Sequence, residues 1–287
     1  MAVNKKTIQR RIKSVRNTRK ITKAMELVSA AKMRRATGAV AKTRPYAQLA
    51  WDTVRAILSQ VGELQHPLMS SPDKATRTLI VLYSSDRGLA GGYNVNVMRK
   101  AIALMKERGA ENVDVIGIGK RADAIAKMGV TMLASFHGMT EQPKLADMLP
   151  VIRLIVERFK SGEYKDVHLA YTDFISGITQ TPKVSLLLPL VVKSEKQKVK
   201  SGDYTFEPNP MAVLDRILPG IIETKIFHAL TEAAASEHAA RMMAMRNATD
   251  SASEMLEDLT FTYNQARQAA ITQEIAELVS GSAAISK

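Results

Sequence analysis

The stretch TLIVLYSSDRGLAGGYN (residues 78–94) decides the fold class, because it leads from an apolar strand through a glycine-rich turn into a helix. Its first seven residues are typical of a buried strand, and a helix is predicted near 95–108. The alternation continues with strands at 112–119, 130–136, 166–174 and 183–192 and helices near 121–128 and 144–160. This β-α-β-α-β-α-β order predicts a doubly wound, Rossmann-like α/β domain with a mostly parallel sheet. We place it at residues 78–210, with one more short strand at 203–207.

The N-terminal part of the chain predicts one long helix. Neither glycine nor proline precedes Gly38, and apolar residues, Ile21 and Val28 among them, recur every three or four positions. We therefore predict a helix over residues 1–62, which Pro45 should bend or interrupt. Residues 63–77 are rich in turn formers and predict a linker.

Residues 211–287 return to helix. Pro219 and Gly220 should end a short piece at 211–218, and neither residue type occurs again from 221 to 279. An apolar stripe then shifts partway along this helix, which is not the pattern of a uniform zipper. The stripe consists of Leu256, Leu259, Tyr263, Ala266 and Ala270, followed by Ile271, Ile275 and Leu278. Helices that enter and leave one domain most simply pair antiparallel, so we predict a coiled coil with the α/β domain inserted between its two helices.

The positive charge of the chain is concentrated at one end. The 287 residues include 41 Lys and Arg against 28 Asp and Glu, a net charge of +13. Residues 1–45 hold 14 of the basic groups and one acidic group, Glu26, whereas the other 242 residues hold 27 of each sign. A neutral body with one strongly basic arm predicts a localised acidic partner.

Composition and spacing exclude several classes of site. Without cysteine, disulfides, thiolate metal sites and cysteine nucleophiles cannot form. The five histidines lack HxxxH and HExxH spacing, so no metal site is predicted. The sequence contains no apolar run of about eighteen residues, so no transmembrane helix is predicted, and no secretory signal is predicted either. The acid-free first 25 residues imitate a transit peptide, but the helical pattern continues past Arg35 and favours a mature helix.

The glycine turn lies where a phosphate-binding loop would lie in such a domain. Gly88, Gly91 and Gly92 nevertheless match neither GxGxxG nor GxxxxGK[ST], and no acidic residue ends the second strand to hold a ribose. A tight turn that lets strand and helix pack closely is favoured over nucleotide binding. Asp86 and Arg87 form one acid-base pair without a nucleophile arranged beside them, so no catalytic residue and no cofactor is predicted.

Three kinds of function remain open on these features: a slender rod held inside an acidic protein, a nucleotide-dependent enzyme and a basic nucleic-acid binder. The nucleic-acid hypothesis rests on electrostatics alone, because no aromatic residue precedes Tyr46 and no helix-turn-helix or basic-zipper pattern occurs. Binding to a membrane surface lacks a Trp or Phe anchor on the basic helix. Small residues and methionines at 236–254 favour the rod, since they form thin, adaptable contact surfaces.

Four long segments resemble the gamma subunits of F-type ATP synthases, of the bacterial type. They are ITKAMELVSAAKMRRA (21–36), SSDRGLAGGYN (84–94), SEHAARMMAMRNATDSA (236–252) and YNQARQAAITQEIAELVSGSAA (263–284). The resemblance spans essentially the whole chain with the order of the segments intact. It implies a non-catalytic central-stalk rotor, one copy per complex, that transmits torque between the c-ring and the alpha/beta hexamer during proton transport. Alpha, beta and epsilon subunits and the c-ring are the implied partners, with no nucleic acid and only indirect membrane association.

The resemblance also implies contact residues. Those implied to meet the hexamer, through acidic beta-subunit loops or at the helix tip, are Lys20, Lys23, Met25, Arg241, Arg267, Gln268, Thr272 and Glu274. Tyr204 and Glu207 match the foot that meets the c-ring and epsilon. Photosynthetic relatives carry an insertion with a cysteine pair, which is absent here, and Ala90 stands in the glycine loop, so thiol regulation is not expected. The implied location is the cytoplasmic face of a bacterial plasma membrane.

Overall fold

The computed structural model describes residues 5–61, 66–72, 75–191 and 206–285. Its elements, in chain order, are α1 (Lys5–Val61), β1 (Arg77–Tyr83), α2 (Tyr93–Arg108), a 3-10 turn (Ala110–Asn112), β2 (Val113–Ile118), a 3-10 helix (Lys120–Met128), β3 (Thr131–Phe136), α3 (Leu145–Lys160), β4 (Tyr164–Phe174), β5 (Gln180–Leu188) and α4 (Pro210–Ile285). The predicted alternation is confirmed, with a 3-10 helix at the second helical position. The short strand predicted at 203–207 lies outside the described residues except for Phe206 and Glu207, which are not in a strand.

One five-stranded sheet forms the centre of the α/β part, in the order β3-β2-β1-β4-β5. Strands β1 to β4 are parallel, and β5 runs antiparallel to β4 at one edge. Leu79, Val81 and Tyr83 of β1 pack in a core with α1, α3 and α4, whereas Ile80 and Leu82 pack with α2 and the 3-10 helix. Both faces of the sheet are therefore covered, which confirms the doubly wound, mostly parallel prediction.

The chain divides into two compact units. The helical-pair unit is formed by Met1–Val28 with Met242–Lys287, and the sheet unit by Ser29–Arg241. Both long helices contribute to both units. The sequence predicted four segments along the chain: 1–62, 63–77, 78–210 and 211–287. Because those segments were defined by composition and the two units by compactness, the four-segment division stays a prediction.

Two prolines lie inside helices that they were expected to disrupt. Pro45 does not interrupt α1, and Pro219 does not end a short helix, because α4 is continuous from residue 210 to 285. The helix end predicted at Pro219 was wrong, as was an interruption at Pro45, whereas a bend at Pro45 stays a prediction. Around Pro219 the reason is burial: Leu218, Ile221 and Ile222 are at most 2% exposed, so core packing offsets the hydrogen bond that proline removes.

In the sheet unit, α4 is buried on every side over three turns. All eleven residues from 229 to 239 are buried, most of them alanine or other small residues. A helix buried all round needs small side chains, because neighbouring elements must approach its backbone closely.

In the helical-pair unit, α1 and α4 run antiparallel. Thr22 and Thr249 share a hydrogen bond between their hydroxyl groups at 2.8 Å, and the Lys5 ammonium lies 6.0 Å from the centre of the Tyr263 ring. Moving from residue 22 back to residue 5 on α1 therefore corresponds to moving forward from 249 to 263 on α4. The helical-pair prediction is confirmed.

The seam between these two helices is narrow. Ile8, Thr22, Met245 and Ala252 are buried, and the predicted stripe at 256–270 is half-buried. Two apolar residues of the stripe expected on α1 point outward instead, since Ile21 is 60% exposed and Val28 55%. The pair thus shows apolar surface to its surroundings.

The two proline positions of α4 give a stability test. At Pro219, replacement by alanine restores a backbone donor within the helix, so we expect Pro219→Ala to raise the free energy of unfolding by about 2 kcal/mol. The measurement is urea unfolding of the full chain, followed by circular dichroism.

Pro210 is the matched control. It occupies the first turn of α4, just after Asn209, whose side-chain oxygen accepts a hydrogen bond from the Ala212 N–H at 2.9 Å. Proline costs nothing at this position, so Pro210→Ala should change stability by less than about 0.5 kcal/mol. Destabilisation by Pro219→Ala would contradict our account of the helix.

Candidate functional site

The loop after β1 lies at the position where doubly wound domains bind ligands. The chain order of the sheet reverses at β1, with β2 and β3 on one side and β4 on the other. Ligands bind such sheets beyond the carboxyl ends of the strands at this point. The glycine turn, residues 84–92, occupies the position.

The turn is anchored to β2 and α2. The Ser84 hydroxyl lies 3.0 Å from the Gly119 carbonyl oxygen, and the Ser85 N–H donates to the Asn94 side chain at 3.0 Å. Gly119 has a φ of +89°, and a Cβ there would lie 2.3 Å from the Ser84 carbonyl oxygen. Only glycine permits this approach of the two strand ends.

Asp86 ties three loops together. Its carboxylate accepts hydrogen bonds from the Lys120 N–H at 3.1 Å, the Gly138 N–H at 3.0 Å and the Thr140 hydroxyl at 3.2 Å. The donors follow β2 and β3, so one carboxylate fixes the ends of three adjacent strands. This arrangement gives Asp86 a structural role.

Arg241 of α4 fills the space next to the turn. It is 7% exposed, and its guanidinium donates to the carbonyl oxygens of Arg87 and Gly88, both at 3.2 Å. It also pairs with the Glu237 carboxylate at 2.7 Å, one helical turn earlier. A phosphate-binding loop offers N–H groups to an anion. This loop offers carbonyl oxygens to a cation, so it has the opposite polarity.

A second ion pair links α1 to the loop before α3. The Lys32 ammonium donates to Glu141 at 2.8 Å, and Arg87 lies 3.4 Å from the same carboxylate. The hydrogen bond from Lys32 holds the pKa of Glu141 below its usual value. We call Lys32, Asp86, Arg87, Glu141, Glu237 and Arg241 the charged junction. It contains three cations and three carboxylates and joins α1, α4 and two loops of the sheet unit.

The histidine beside the junction is uncharged at neutral pH. Burial, together with the charges of Arg241 and Lys32, lowers the pKa of His238 to about 4. Its Nδ1 atom lies 3.4 Å from the Arg241 guanidinium, so the neutral ring can accept a hydrogen bond from Arg241. Among the described residues, no cluster of three or more metal-ligating side chains occurs.

The residues of α1 implied to contact a partner lie on the outside of the helical-pair unit. Lys20 and Lys23 are exposed, and Met25 is half-buried. Lys23 pairs with Glu26 at 3.0 Å within its own helix, and such an exposed pair contributes little to stability. These side chains remain accessible to another surface.

The C-terminal part of α4 has no covering element in the described structure. Every residue from 267 to 282 is exposed except Ala270, which is half-buried. This stretch carries the implied contact residues Arg267, Gln268, Thr272 and Glu274. It also carries four apolar side chains that are 46–74% exposed: Ile271, Ile275, Leu278 and Val279. Because residues three or four apart lie on the same side of a helix, the implied contact residues and the apolar side chains alternate along one side of α4.

The remaining contact predictions have mixed positions. Arg241 was expected at a partner surface, yet its side chain is buried among partners from its own chain. Glu207 is exposed, and Tyr204 lies outside the described residues. Whether any of these residues meets another subunit stays a prediction.

Sequence reasoning missed the charged junction. Asp86 and Arg87 were weighed only as catalytic groups, and Lys32, Glu141 and Glu237 were not singled out. One signal was available: Glu237 and Arg241 are spaced i, i+4 in an alanine-rich stretch, where charged residues need a buried partner.

Comparison with known proteins identifies the family. A family model described as ATP synthase matches residues 4–285. The ATP synthase gamma chain of Herpetosiphon aurantiacus is 42% identical over 290 residues, covering 98% of each chain. That of Alkaliphilus metalliredigens is 40% identical over 291 residues, covering 99% of this chain and all of its own.

The chain belongs to the ATP synthase gamma chain family.

Solved structures agree with the gamma chain fold. A chain in the rotor of Euglena gracilis mitochondrial ATP synthase, in rotational state 1, is 20% identical with a TM-score of 0.63, covering 93% of this chain and 98% of its own. A chain in the OSCP/F1/c-ring structure of the same enzyme is 17% identical with a TM-score of 0.66, covering 98% and 94%. At such identities the likeness supports the fold alone. Within the described residues, the hydropathy of every helix falls short of what a membrane span requires.

The buried pair of Glu237 and Arg241 leads to a prediction about how stability depends on pH. Burial raises the pKa of Glu237 and Arg241 opposes the rise, so Arg241→Met should raise that pKa further. When folding raises the pKa of a carboxyl group, the stability linked to that group is fully present at pH values below its pKa in the unfolded chain. This stability is lost as the pH rises through its pKa in the folded chain. We expect Arg241→Met to cost about 3 kcal/mol in urea unfolding at pH 7.5, and clearly less at pH 5.

Two variants control for the loss of packing. Adding Glu237→Gln removes the unpaired carboxylate, so the double variant should regain much of the stability at pH 7.5. The exposed Arg246→Met should cost under about 0.5 kcal/mol. A loss that is the same at both pH values would show that Arg241 acts through packing and not through Glu237.

Proposed function

We propose that the chain is the central-stalk rotor subunit of a proton-translocating F-type ATP synthase. In this role it performs no chemistry and transmits torque between the membrane c-ring and the catalytic alpha/beta hexamer. The observation that carries the proposal is the exposed end of α4, in a chain of the gamma family. Most of the stability of a helix in a protein comes from the packing of its apolar face, and four apolar side chains of this stretch lack such packing among the described residues. A surrounding protein would cover it.

The charge of α1 supports the same partner. Nine basic residues between positions 5 and 23 are exposed: Lys5, Lys6, Arg10, Arg11, Lys13, Arg16, Arg19, Lys20 and Lys23. Acidic loops of beta subunits, which the family resemblance implies, would be electrostatically complementary to them. Complementary charge at such a rim favours association and orientation more than tight binding.

The narrow seam of the helical pair suits a turning contact. A rotor needs several orientations of similar free energy, so no single orientation may bind much more tightly than the others. Exposed methionine and aliphatic side chains give adaptable contact area without deep aromatic anchors. Met25 and Met255 are examples, the first half-buried and the second 52% exposed.

The charged junction would carry load within the sheet unit. The buried Glu237–Arg241 pair holds a defined geometry, and removing one partner of such a pair is costly. Asp86, Arg241 and the Lys32–Glu141 pair connect three strand ends to both long helices. Torque applied to these helices would therefore be transmitted to the sheet through these contacts.

The proposed partners are one set of alpha, beta and epsilon subunits and the c-ring, with one gamma chain per complex. Glu207, exposed near the start of α4, and Tyr204 belong to the proposed foot. The chain would be peripheral, at the cytoplasmic face of a bacterial plasma membrane, and linked to the membrane through the c-ring.

Nucleotide-dependent enzyme and nucleic-acid functions are separable from the rotor by two binding assays. Equilibrium dialysis of the full chain with labelled ATP or ADP should show no saturable, stoichiometric binding. Binding to duplex DNA should disappear at moderate salt, as expected of attraction by charge alone. Saturable nucleotide binding, or DNA binding that persists, would favour the other functions.

A charge substitution on α1 tests the rotor contact. Met25 lies on the same stretch of α1 as the exposed Lys20 and Lys23 and is itself half-buried, so Met25→Lys adds a cation to the part of α1 that is proposed to meet the acidic loops. We expect one orientation to become favoured by roughly 1 kcal/mol or more, which impairs the coupling of rotation to transport. Proton pumping in membranes should therefore fall several-fold more than ATP hydrolysis.

Met25→Gln is the uncharged control and should leave both activities close to wild type. Parallel loss of hydrolysis and pumping in Met25→Lys, with less gamma chain in the membranes, would indicate failed assembly and contradict the contact role.

A further inference from the structure

A cavity of about 290 Å³ lies in the sheet unit between α1, α4, β4 and β5. Its walls are mostly apolar and include Trp51, Leu169, Leu186 and Ile221. It lies on the far side of the sheet from α2, and none of its lining residues belongs to the charged junction. The cavity therefore needs an explanation of its own.

One cation at this cavity lacks a compensating charge. Lys225 of α4 lines the cavity, and its ammonium lies 4.9 Å from the centre of the Trp51 ring. Burial lowers the pKa of Lys225, and no neighbouring charge among the described residues counters that effect. The Lys225 residue is half-buried, so its side chain has lost part of its hydration, and the charged form is disfavoured.

A nearby lysine shows the ordinary solution. Lys183 of β5 also lies over an aromatic ring, 4.8 Å from the centre of Tyr171. Its ammonium is paired with Asp173 at 2.7 Å. Burial alone would lower the pKa of Lys183, but its hydrogen bond to Asp173 contributes to an overall rise. The contrast leaves the Lys225 ammonium, among the described residues, as a positive group at the cavity wall without an ion pair.

We propose that this cavity binds a small organic carboxylate, with the carboxylate on Lys225 and an aliphatic body against Leu169, Leu186 and Ile221. The volume holds about ten non-hydrogen atoms, at roughly 30 Å³ for each atom of water size. A saturated carboxylate of eight carbons has this size. A phosphate dianion fits less well, because phosphate sites converge several N–H or guanidinium donors, whereas Lys225 is the one Lys or Arg of the lining and His228 its other nitrogen-bearing polar side chain.

The site is distinct from the rotor contacts, and it stands whether or not the proposed function is correct. It lies entirely in the sheet unit, whereas most of the proposed hexamer contacts lie in the helical-pair unit. A bound carboxylate would fill the space between both long helices and the edge of the sheet.

Trp51 makes the proposal directly measurable. It is the single tryptophan of the chain and forms part of the cavity wall. Titration of the full chain with octanoate, kept below its micellar concentration, should change the tryptophan fluorescence saturably. For a ligand of ten non-hydrogen atoms, half-saturation is expected between about 0.05 and 1 mM. Octanol, which has the same body without the charge, should bind at least about tenfold more weakly.

Variants separate the charge from the cavity. Lys225→Met should weaken octanoate binding about tenfold while leaving octanol binding unchanged, whereas Lys225→Arg should retain octanoate binding. Ser185→Phe, which fills the cavity from β5, should abolish binding of both ligands. Lys100→Met, an exposed substitution on α2, is the control and should bind like wild type.

Equal affinity of octanoate for wild type and Lys225→Met would overturn the proposal, as would the absence of any saturable change in wild type. Circular dichroism establishes that each variant is folded. If Lys225→Met does not fold, the comparison of octanoate with octanol on wild type and on Lys225→Arg still decides the matter.

Discussion

Helix α4 has to satisfy two opposite requirements along one continuous backbone, and the rest of the structure depends on how it does so. Over residues 229–239 the helix is buried on every side, whereas from 267 to 282 it is exposed nearly all round. The first requirement selects alanine and forces any charge to be paired. The second leaves Ile271, Ile275 and Leu278 without intramolecular cover. Exposed apolar side chains grouped in this way mark a surface suited to association with another protein.

The charged junction follows from the first requirement. Glu237 and Arg241 lie where the buried part of α4 ends, and each would be strongly unfavourable there alone. Their pairing, extended to the carbonyl oxygens of Arg87 and Gly88, satisfies the donors of the guanidinium within the sheet unit. Buried pairs of this kind fix geometry more than they add stability. That property suits an element that transmits force.

The sequence predicted the elements well because their signals are local. The apolar strand at 78–84 and the glycine turn after it have few alternatives, and long intervals without proline or glycine that carry apolar residues every three or four positions favour helix. The failures involve tertiary packing. Pro219 is a helix breaker by local rules, but Leu218 and Ile222 are buried in the core on either side of it. The sequence predicted Arg241 to lie at a partner surface. Its contact with the carbonyl oxygens of the glycine turn depends on the fold, because the two are more than 150 positions apart in the chain.

The reversed polarity of the glycine turn has a consequence for how the molecule responds to the cell. A domain of this architecture that bound a nucleotide would gain or lose stability with the concentration of that nucleotide. Here the equivalent place is filled by a guanidinium that is covalently part of the chain and charged at every physiological pH. The Arg241 guanidinium is therefore present next to the glycine turn in every copy of the protein. We therefore expect the stability of the sheet unit not to depend on how much ATP or ADP surrounds it.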